Sequence, residues 1–280
     1  MLKQWIKILL SRYSPSIAAT LISIRSRRMQ ERQARDLGLV QIAKRIAHVQ
    51  GLVCAAGPFA GMRFPPEVLT RHSSPKLLGT YEHELHDLIS NVLRNPYKRI
   101  INIGCSEGYY AVGFALRIPN ATVFAFDTDP VARRMTRKLA RLNECAGRVC
   151  VRGFVRPATL EQLLESPERS LVFMDCEGCE VVLLDLQECP NLRNTDVVAE
   201  LHPDIIKNLE DVLWQRFKDT HEVVVLRSRP RERRELPLVR GLKQDELLSA
   251  IDERRPQDSK WMAFLRPCAS QQRNAVSAST

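Results

Sequence analysis

The run Arg99-Ile-Ile-Asn-Ile-Gly104-Cys-Ser-Glu-Gly108-Tyr-Tyr, followed by Ala121-Thr-Val-Phe-Ala-Phe-Asp127-Thr-Asp129-Pro, restricts the fold of this chain more than any other stretch. A short apolar strand breaks at Gly104 into a turn that holds a second glycine, Gly108. A second apolar strand then ends on a carboxylate, Asp127, 23 residues after Gly104. Glycine is needed where a backbone turns tightly and approaches a ligand, and an acid at the next strand end can accept hydrogen bonds from ribose hydroxyls. The pattern reads as a βαβ nucleotide-binding unit.

Dinucleotide sites place three glycines as G-x-G-x-x-G. Here Ser106 stands where the middle glycine would often sit, and no third glycine is in register. The spacing favours S-adenosylmethionine over a nicotinamide dinucleotide. From about Lys98 to Pro130 the order of strand, G-x-x-x-G, strand and acid resembles motif I and the following acid of class I methyltransferases. The competing reading is an α/β domain whose loop turns without a ligand.

Alternation of strands and helices continues to the end, which predicts a mainly parallel sheet with helices on both faces. Strands are expected at Ile100 to Ile103, Thr122 to Phe126, Val149 to Arg152, Leu171 to Met174, Val197 to Glu200, Glu222 to Leu226 and Trp261 to Leu265. The fold class expected is α/β, and the resemblance to class I methyltransferases implies a Rossmann-like, mainly parallel seven-stranded sheet with helices on both faces, here with a helical N-terminal extension. Asp129-Pro130 supplies an N-cap and a proline at the first helical position, and Thr159 with Gln162 makes a capping-box pattern. Ile205, Ile206, Leu209, Leu213 and Phe217 form a helical stripe, followed after the next strand by the basic run Arg227 to Arg234. A short helix is expected near Gln244 to Ile251, and a frayed polar tail after Pro267.

Upstream, Leu2, Trp5, Ile6, Leu9 and Tyr13 recur at helical spacing between Lys3, Lys7 and Arg12. This is an amphipathic basic helix that either lies on a membrane surface or packs on protein. A second helix is expected from about Ile17 to His48. A small hairpin is expected over residues 52 to 64, and a helix capped by Thr80, with His83 or Glu84 in its first turn, carries Leu85, Leu88, Ile89 and Val92. The divisions implied are a basic extension (1–50), a segment before or capping the cleft (51–97), the catalytic domain (98–267) and a tail (268–280).

The net charge of +10 comes mostly from residues 1–50, where ten Lys and Arg face two acids. No apolar run has the length of a membrane span, and Lys7 and Arg12 spoil a signal-peptide pattern, so a cytoplasmic protein with reduced thiols is expected. Eight cysteines show no disulfide framework. Cys176 and Cys179 form C-x-x-C, but without a second pair at zinc-ribbon spacing they suggest neither zinc nor redox use.

Ligands of open α/β sheets bind beyond the carboxyl ends of the strands. Three such ends are polar here: Gly104, Cys105, Ser106, Glu107, Gly108 and Tyr109; Asp127, Thr128 and Asp129; and Asp175-Cys-Glu177-Gly178-Cys-Glu180 together with Glu200-Leu-His202. The first two groups and Asp175 are the expected cofactor contacts. The runs M-D-C-E-G-C-E and E-L-H resemble the D-x-E-G-x-E and E-x-H signatures of FkbM-type methyltransferases, over about Leu77 to Leu226. That resemblance implies methyl transfer from S-adenosylmethionine, often to a hydroxyl of a sugar or natural product. Asn102 departs from it, standing where a motif I acid is common.

Methyl transfer is an in-line displacement on a sulfonium, so the protein aligns donor and acceptor and removes the hydroxyl proton. His202 is the candidate base, with Glu200 or Asp175 to orient it; alternatively it caps a helix beginning near Pro203. Asp175, Glu177, Glu200 and His202 also have the chemistry to hold Mg²⁺ or Mn²⁺, a lesser reading, and no metal ligand is assigned. His83 and His86 lack an acid partner motif. A nucleic-acid methyltransferase is the second reading, on the basic N-terminus and Arg227 to Arg234. D-C-E-G is unlike the Asn-Pro-Pro-Tyr or Pro-Cys loops of base methylation, and no aromatic platform accompanies the basic runs. A non-catalytic binding module is the third. The sequence leaves the acceptor and the oligomeric state open.

Overall fold

The computed structural model describes residues 37–69, 73–202, 205–232, 239–253, 255 and 259–267, with isolated positions between 17 and 32. The proposed helix over residues 1–13, the tail after 267, and Pro203 lie outside them.

Seven strands form one sheet: β1 (Arg99–Ile103), β2 (Thr122–Phe126), β3 (Val149–Arg152), β4 (Ser170–Met174), β5 (Asp196–Leu201), β6 (Glu222–Arg227) and β7 (Lys260–Leu265), in the order β3-β2-β1-β4-β5-β7-β6. β7 is antiparallel to both of its neighbours, and all other pairings are parallel. This is the arrangement expected of the class I methyltransferase fold. The order reverses between β1 and β4, the place where ligands of open α/β sheets bind beyond the carboxyl ends of the strands.

Helices cover both faces: α1 (Leu39–Gln50), α2 (Ser73–Leu78), α3 (His86–Leu93), α4 (Tyr109–Arg117), α5 (Pro130–Leu142), α6 (Pro157–Leu164), α7 (Glu180–Leu183), α8 (Leu209–Phe217) and α9 (Gln244–Ile251). Because successive strand residues point to opposite faces, Ile100, Leu171, Phe173, Val198, Trp261 and Ala263 enter one core layer. Ile101, Ile103, Val172, Met174, Val197, Met262 and Phe264 enter the other. Residues 51–97 share the first layer through Phe59, Met62, Leu77, Leu85 and Tyr97. At the amino end of the sheet, buried Asp196 accepts hydrogen bonds from the Tyr97 hydroxyl at 2.6 Å and Arg169 at 2.7 Å.

Several local expectations change. The helix expected from Ile17 to His48 is interrupted by a turn at Leu37 and Gly38, the latter left-handed at φ 68°, before α1 starts. Residues 52 to 64 hold a single bridge, Val53 to Arg63, in place of a hairpin. Thr80 caps nothing and its hydroxyl is buried without a partner; a 3₁₀ turn, His83–Leu85, precedes α3. Thr159 and Gln162 lie inside α6, which starts at Pro157 without a side-chain cap. Leu209, Leu213 and Phe217 are the buried stripe of α8, whereas Ile205 lies before the helix and is 50% exposed. Asp129 does cap α5, accepting the Val131 N–H at 2.8 Å. No described helix is long and apolar enough to cross a membrane.

Candidate functional site

Strand register places the site. Ile103 pairs with Phe126 on one side and Met174 on the other, and Met174 pairs with Ala199. The next residue of each strand therefore forms a row across the carboxyl end of the sheet: Asp127, Gly104, Asp175, Glu200. His202 stands just past the end of β5.

At Gly104 (φ 78°) a Cβ would sit 1.6 Å from the Asp175 carbonyl oxygen, so the β1 turn and the β4 end approach closer than any side chain allows. The turn is fastened from β2, where the Phe126 carbonyl accepts the N–H groups of both Gly104 and Cys105 at 2.9 Å. Asp127 ties it again: Oδ2 accepts the Ser106 N–H and Oδ1 the Asp129 N–H, each at 2.8 Å. Burial, set against those bonds, pushes the Asp127 carboxyl up to about 6. Each carboxylate oxygen keeps a second lone pair for a hydroxyl donor.

The other residues of the turn divide. Glu107 is ion-paired with buried Lys76 and accepts the Ser106 hydroxyl at 2.7 Å; these contacts outweigh burial and hold it below the usual carboxylate range. The Cys105 thiol is buried against Thr136. The Tyr109 ring lies in an aromatic cluster with Phe59, Phe64 and Tyr81, so its side chain belongs to the core and not to the crevice. Asn102 is buried, donating to the Phe173 carbonyl at 3.2 Å with its own oxygen unpartnered. Thr128 carries the carbonyl that accepts Arg133 at 2.9 Å, and the Asp129 carboxylate also receives Arg27 at 2.6 Å.

On the β4–β5 side, His202 Nδ1 lies 3.0 Å from Glu180 Oε1, and its Nε2 lies 3.5 Å from Asp175 Oδ1. Burial alone would lower the imidazole, but the Glu180 hydrogen bond and the charges of Asp175, Glu180 and Glu177 win and raise it above its ordinary value. Glu180 is fully buried at the start of α7. Of the two partners expected for the ring, Asp175 lies beside it, and the hydrogen bond is made with Glu180 instead of Glu200. Sequence reasoning placed Glu180 in the right loop and gave it no task; its signal is the last acid of D-C-E-G-C-E, at a helix start facing the β5 end.

Glu200 stays near Asp175 and His202 but is held by a cation. Arg255 pairs with Glu200 and Glu82, and its Nε reaches Glu253 at 3.0 Å. Arg231 links Glu253 at 2.7 Å to Glu84 at 3.1 Å, and the Tyr110 hydroxyl donates to Glu82. Burial and the neighbouring carboxylates outweigh Arg255 and push Glu82 up to about 7 and Glu200 well above its ordinary value. The basic run from Arg227 is therefore not wholly a solvated loop, since Arg231 is buried in this network. Of the five non-glycine residues with positive φ among the described residues, Glu82, Ser106 and Glu177 border this region, which concentrates backbone strain beside the strand-end row.

Asp175, Glu200 and His202 each offer one donor atom within 4.8 Å of the others, the spacing of a cation site. Arg255 already supplies positive charge to Glu200 there. Cys176 and Cys179 are joined in a disulfide, against the expectation of reduced thiols without redox use; two residues of spacing bring their Cα atoms to 5.7 Å once Glu177 and Gly178 take left-handed conformations. Two surface hollows lie away from the glycine turn: one of about 270 Å³ between α1 and Arg240 to Leu242, and one of about 210 Å³ beside Leu201, Asn208 and Lys260.

No family model and no curated protein matches the chain. Solved structures do. The cofactor-bound protein Rv0187 from MTB is 16% identical over 68% of this chain and 82% of its own, with a TM-score of 0.44. A provisionally assigned O-methyltransferase from Klebsiella pneumoniae is 14% identical over 86% of this chain and 99% of its own, with a TM-score of 0.44. Precorrin 8w decarboxylase from Methanobacterium thermoautotrophicum is 14% identical over 66% and 90%, with a TM-score of 0.41.

Proposed function

We propose that the chain is an S-adenosylmethionine-dependent O-methyltransferase of the FkbM type, acting on a hydroxyl of a small molecule or sugar. The observation that carries this reading is the row Asp127, Gly104, Asp175, Glu200 at the strand-order reversal, with a histidine held by a buried carboxylate at its end. The residues fit the donor: a glycine turn packed directly on the Asp175 carbonyl at the carboxyl edge of the sheet, and a carboxylate at Asp127 with lone pairs left for ribose hydroxyls. When bound, S-adenosylmethionine supplies an electrophilic methyl group on a cationic sulfur.

His202 then takes the acceptor proton at Nε2 as the hydroxyl oxygen attacks, while Glu180 accepts from Nδ1 and stabilises the imidazolium that forms. Asp175 Oδ1 lies 3.5 Å from Nε2, the nitrogen that takes the proton, and its charge favours the imidazolium. The raised imidazole must lose its proton before it serves as a base, so transfer accelerates as pH rises through the His202 titration. Residues 98–267 are taken as the catalytic domain, working in the cytoplasm, and residues 1–13 as a contact for a membrane surface or partner.

Labelled S-adenosylmethionine and fractionated extract test the proposal, with a methylated small-molecule fraction expected from the wild type and none from His202→Gln. S-adenosylhomocysteine that neither binds nor raises the melting temperature leaves a non-catalytic scaffold instead.

A further inference from the structure

The disulfide stands in the segment that serves the row of strand-end residues. Asp175, Cys176, Glu177, Gly178, Cys179 and Glu180 are consecutive, and their backbone touches both halves of the site. On one side the Asp175 carbonyl and Cys176 Cα are the atoms against which Gly104 is packed. On the other, the Cys176 N–H points at Glu180 Oε1 at 3.4 Å, the same oxygen that meets His202 Nδ1. Both cysteines are partly exposed, within reach of a small thiol, whereas Cys54, Cys105, Cys145 and Cys189 are buried. Gly178 takes a left-handed conformation, φ 103°, beside the Ile205 side chain.

We propose that Cys176 and Cys179 are a reversible thiol–disulfide modification site whose cross-link sets the placement of Asp175 and Glu180, and through them the glycine turn and His202. The co-reactant is a dithiol. One of its thiolates attacks a protein sulfur, the S–S bond breaks, and a mixed disulfide forms with release of one cysteine thiolate. The second thiol of the reductant then attacks that mixed disulfide and frees the other cysteine. Two electrons and two protons pass to the protein, and the reductant becomes a disulfide. The oxidised segment is a closed loop with one geometry; the reduced one is freed from the sulfur–sulfur constraint on the spacing between Asp175 and Glu180. A displacement of about 1 Å in a positioned catalytic group costs on the order of a hundredfold in rate.

The link with methyl transfer rests on the function proposed above, but the thiol chemistry and its effect on His202 do not. The test uses the full chain, oxidised or treated with dithiothreitol. Peptide mass mapping after alkylation scores the bond, NMR of the His202 ring scores the site, and calorimetry scores S-adenosylhomocysteine. The expected result is a Cys176–Cys179 bond that reduces and re-forms, a shift of the His202 ring resonances between the two states, and cofactor-product affinity weaker by at least about tenfold in the reduced state. Cys176→Ala/Cys179→Ala should match the reduced wild type and ignore dithiothreitol. Alkylation of both cysteines in oxidant-treated protein overturns the proposal, as does a bond whose reduction leaves the His202 resonances unchanged. A His202 shift without binding in either state supports the modification site and removes the methyl-donor reading. Should the double variant fail to fold, the wild-type comparison decides alone.

Discussion

Replacing Gly104 by alanine tests the close approach on which the cofactor cradle depends. Its new Cβ would lie 1.6 Å from the Asp175 carbonyl oxygen, where contacts under 3.0 Å are essentially never found, and the obstacle is backbone. The β1 turn and the β4 end must therefore part, which breaks the Asp175 N–H bond to the Ile103 carbonyl and pulls the Gly104 and Cys105 N–H groups from Phe126, all at 2.9 Å. Losing two or three such bonds costs about 1 kcal/mol each. Holding alanine left-handed adds about 1–2 kcal/mol. The sum is roughly 3–5 kcal/mol, or about 10 °C in melting temperature for a domain of this size. Gly61→Ala is the control: φ is 87° with nothing within 4 Å of the added Cβ, so only the left-handed cost of about 1–2 kcal/mol is expected. Differential scanning calorimetry and S-adenosylhomocysteine titration read both variants. Equal losses in the two, or a stable Gly104→Ala that binds normally, would refute the reasoning.

Asp127→Ala should weaken S-adenosylhomocysteine about a hundredfold, since charge-assisted hydrogen bonds contribute about 1.5–3 kcal/mol each; wild-type affinity, followed by calorimetry, should also fall as pH drops through about 6, where the carboxylate takes a proton. His202→Gln should slow transfer by about a hundredfold or more while leaving product affinity in place, as removal of a general base does. Glu180→Gln removes a charge that raises the imidazole, so the ascending limb of the pH–rate profile, and the His202 titration seen by NMR, should move to lower pH. Arg255→Met leaves Glu82, Glu200 and Glu253 without their shared cation, an expected loss of about 3–5 kcal/mol in neutral buffer. Glu82 and Glu200 are already raised and rise further in the variant, so the folded form takes up protons as pH falls and the deficit in urea unfolding should shrink in mildly acidic buffer.

What could be read in advance was whatever is written locally. β2 and β3 keep the bounds expected, Thr122–Phe126 and Val149–Arg152, because each is a short run rich in β-branched and aromatic residues that is followed at once by a turn residue, Asp127 or Gly153. The Asp129-Pro130 cap is likewise complete within four residues. α2 was missed because nothing in Ser-Ser-Pro-Lys-Leu-Leu carries helical periodicity; burial of all six residues, Lys76 included, makes it. The strand-end acids were placed correctly as a group, yet their partners were not legible. Arg231 meets Glu84 across 147 residues, and Arg255 meets Glu82 across 173. In a linear reading Arg231 is one of several like charges in a run, and only tertiary contact distinguishes the buried member from the solvated ones.

The Arg255 cluster ties the upstream segment holding Glu82, the end of β5 and the approach to β7 into one electrostatic knot, and β7 itself slots between β5 and β6. During synthesis, then, a nascent polypeptide that has not yet delivered Arg255 holds unneutralised acids at the mouth of its crevice and a gap beside β5. The sheet of such a chain stays incomplete until β7 emerges, and a product ended before it would offer quality-control proteases the open edge of β5.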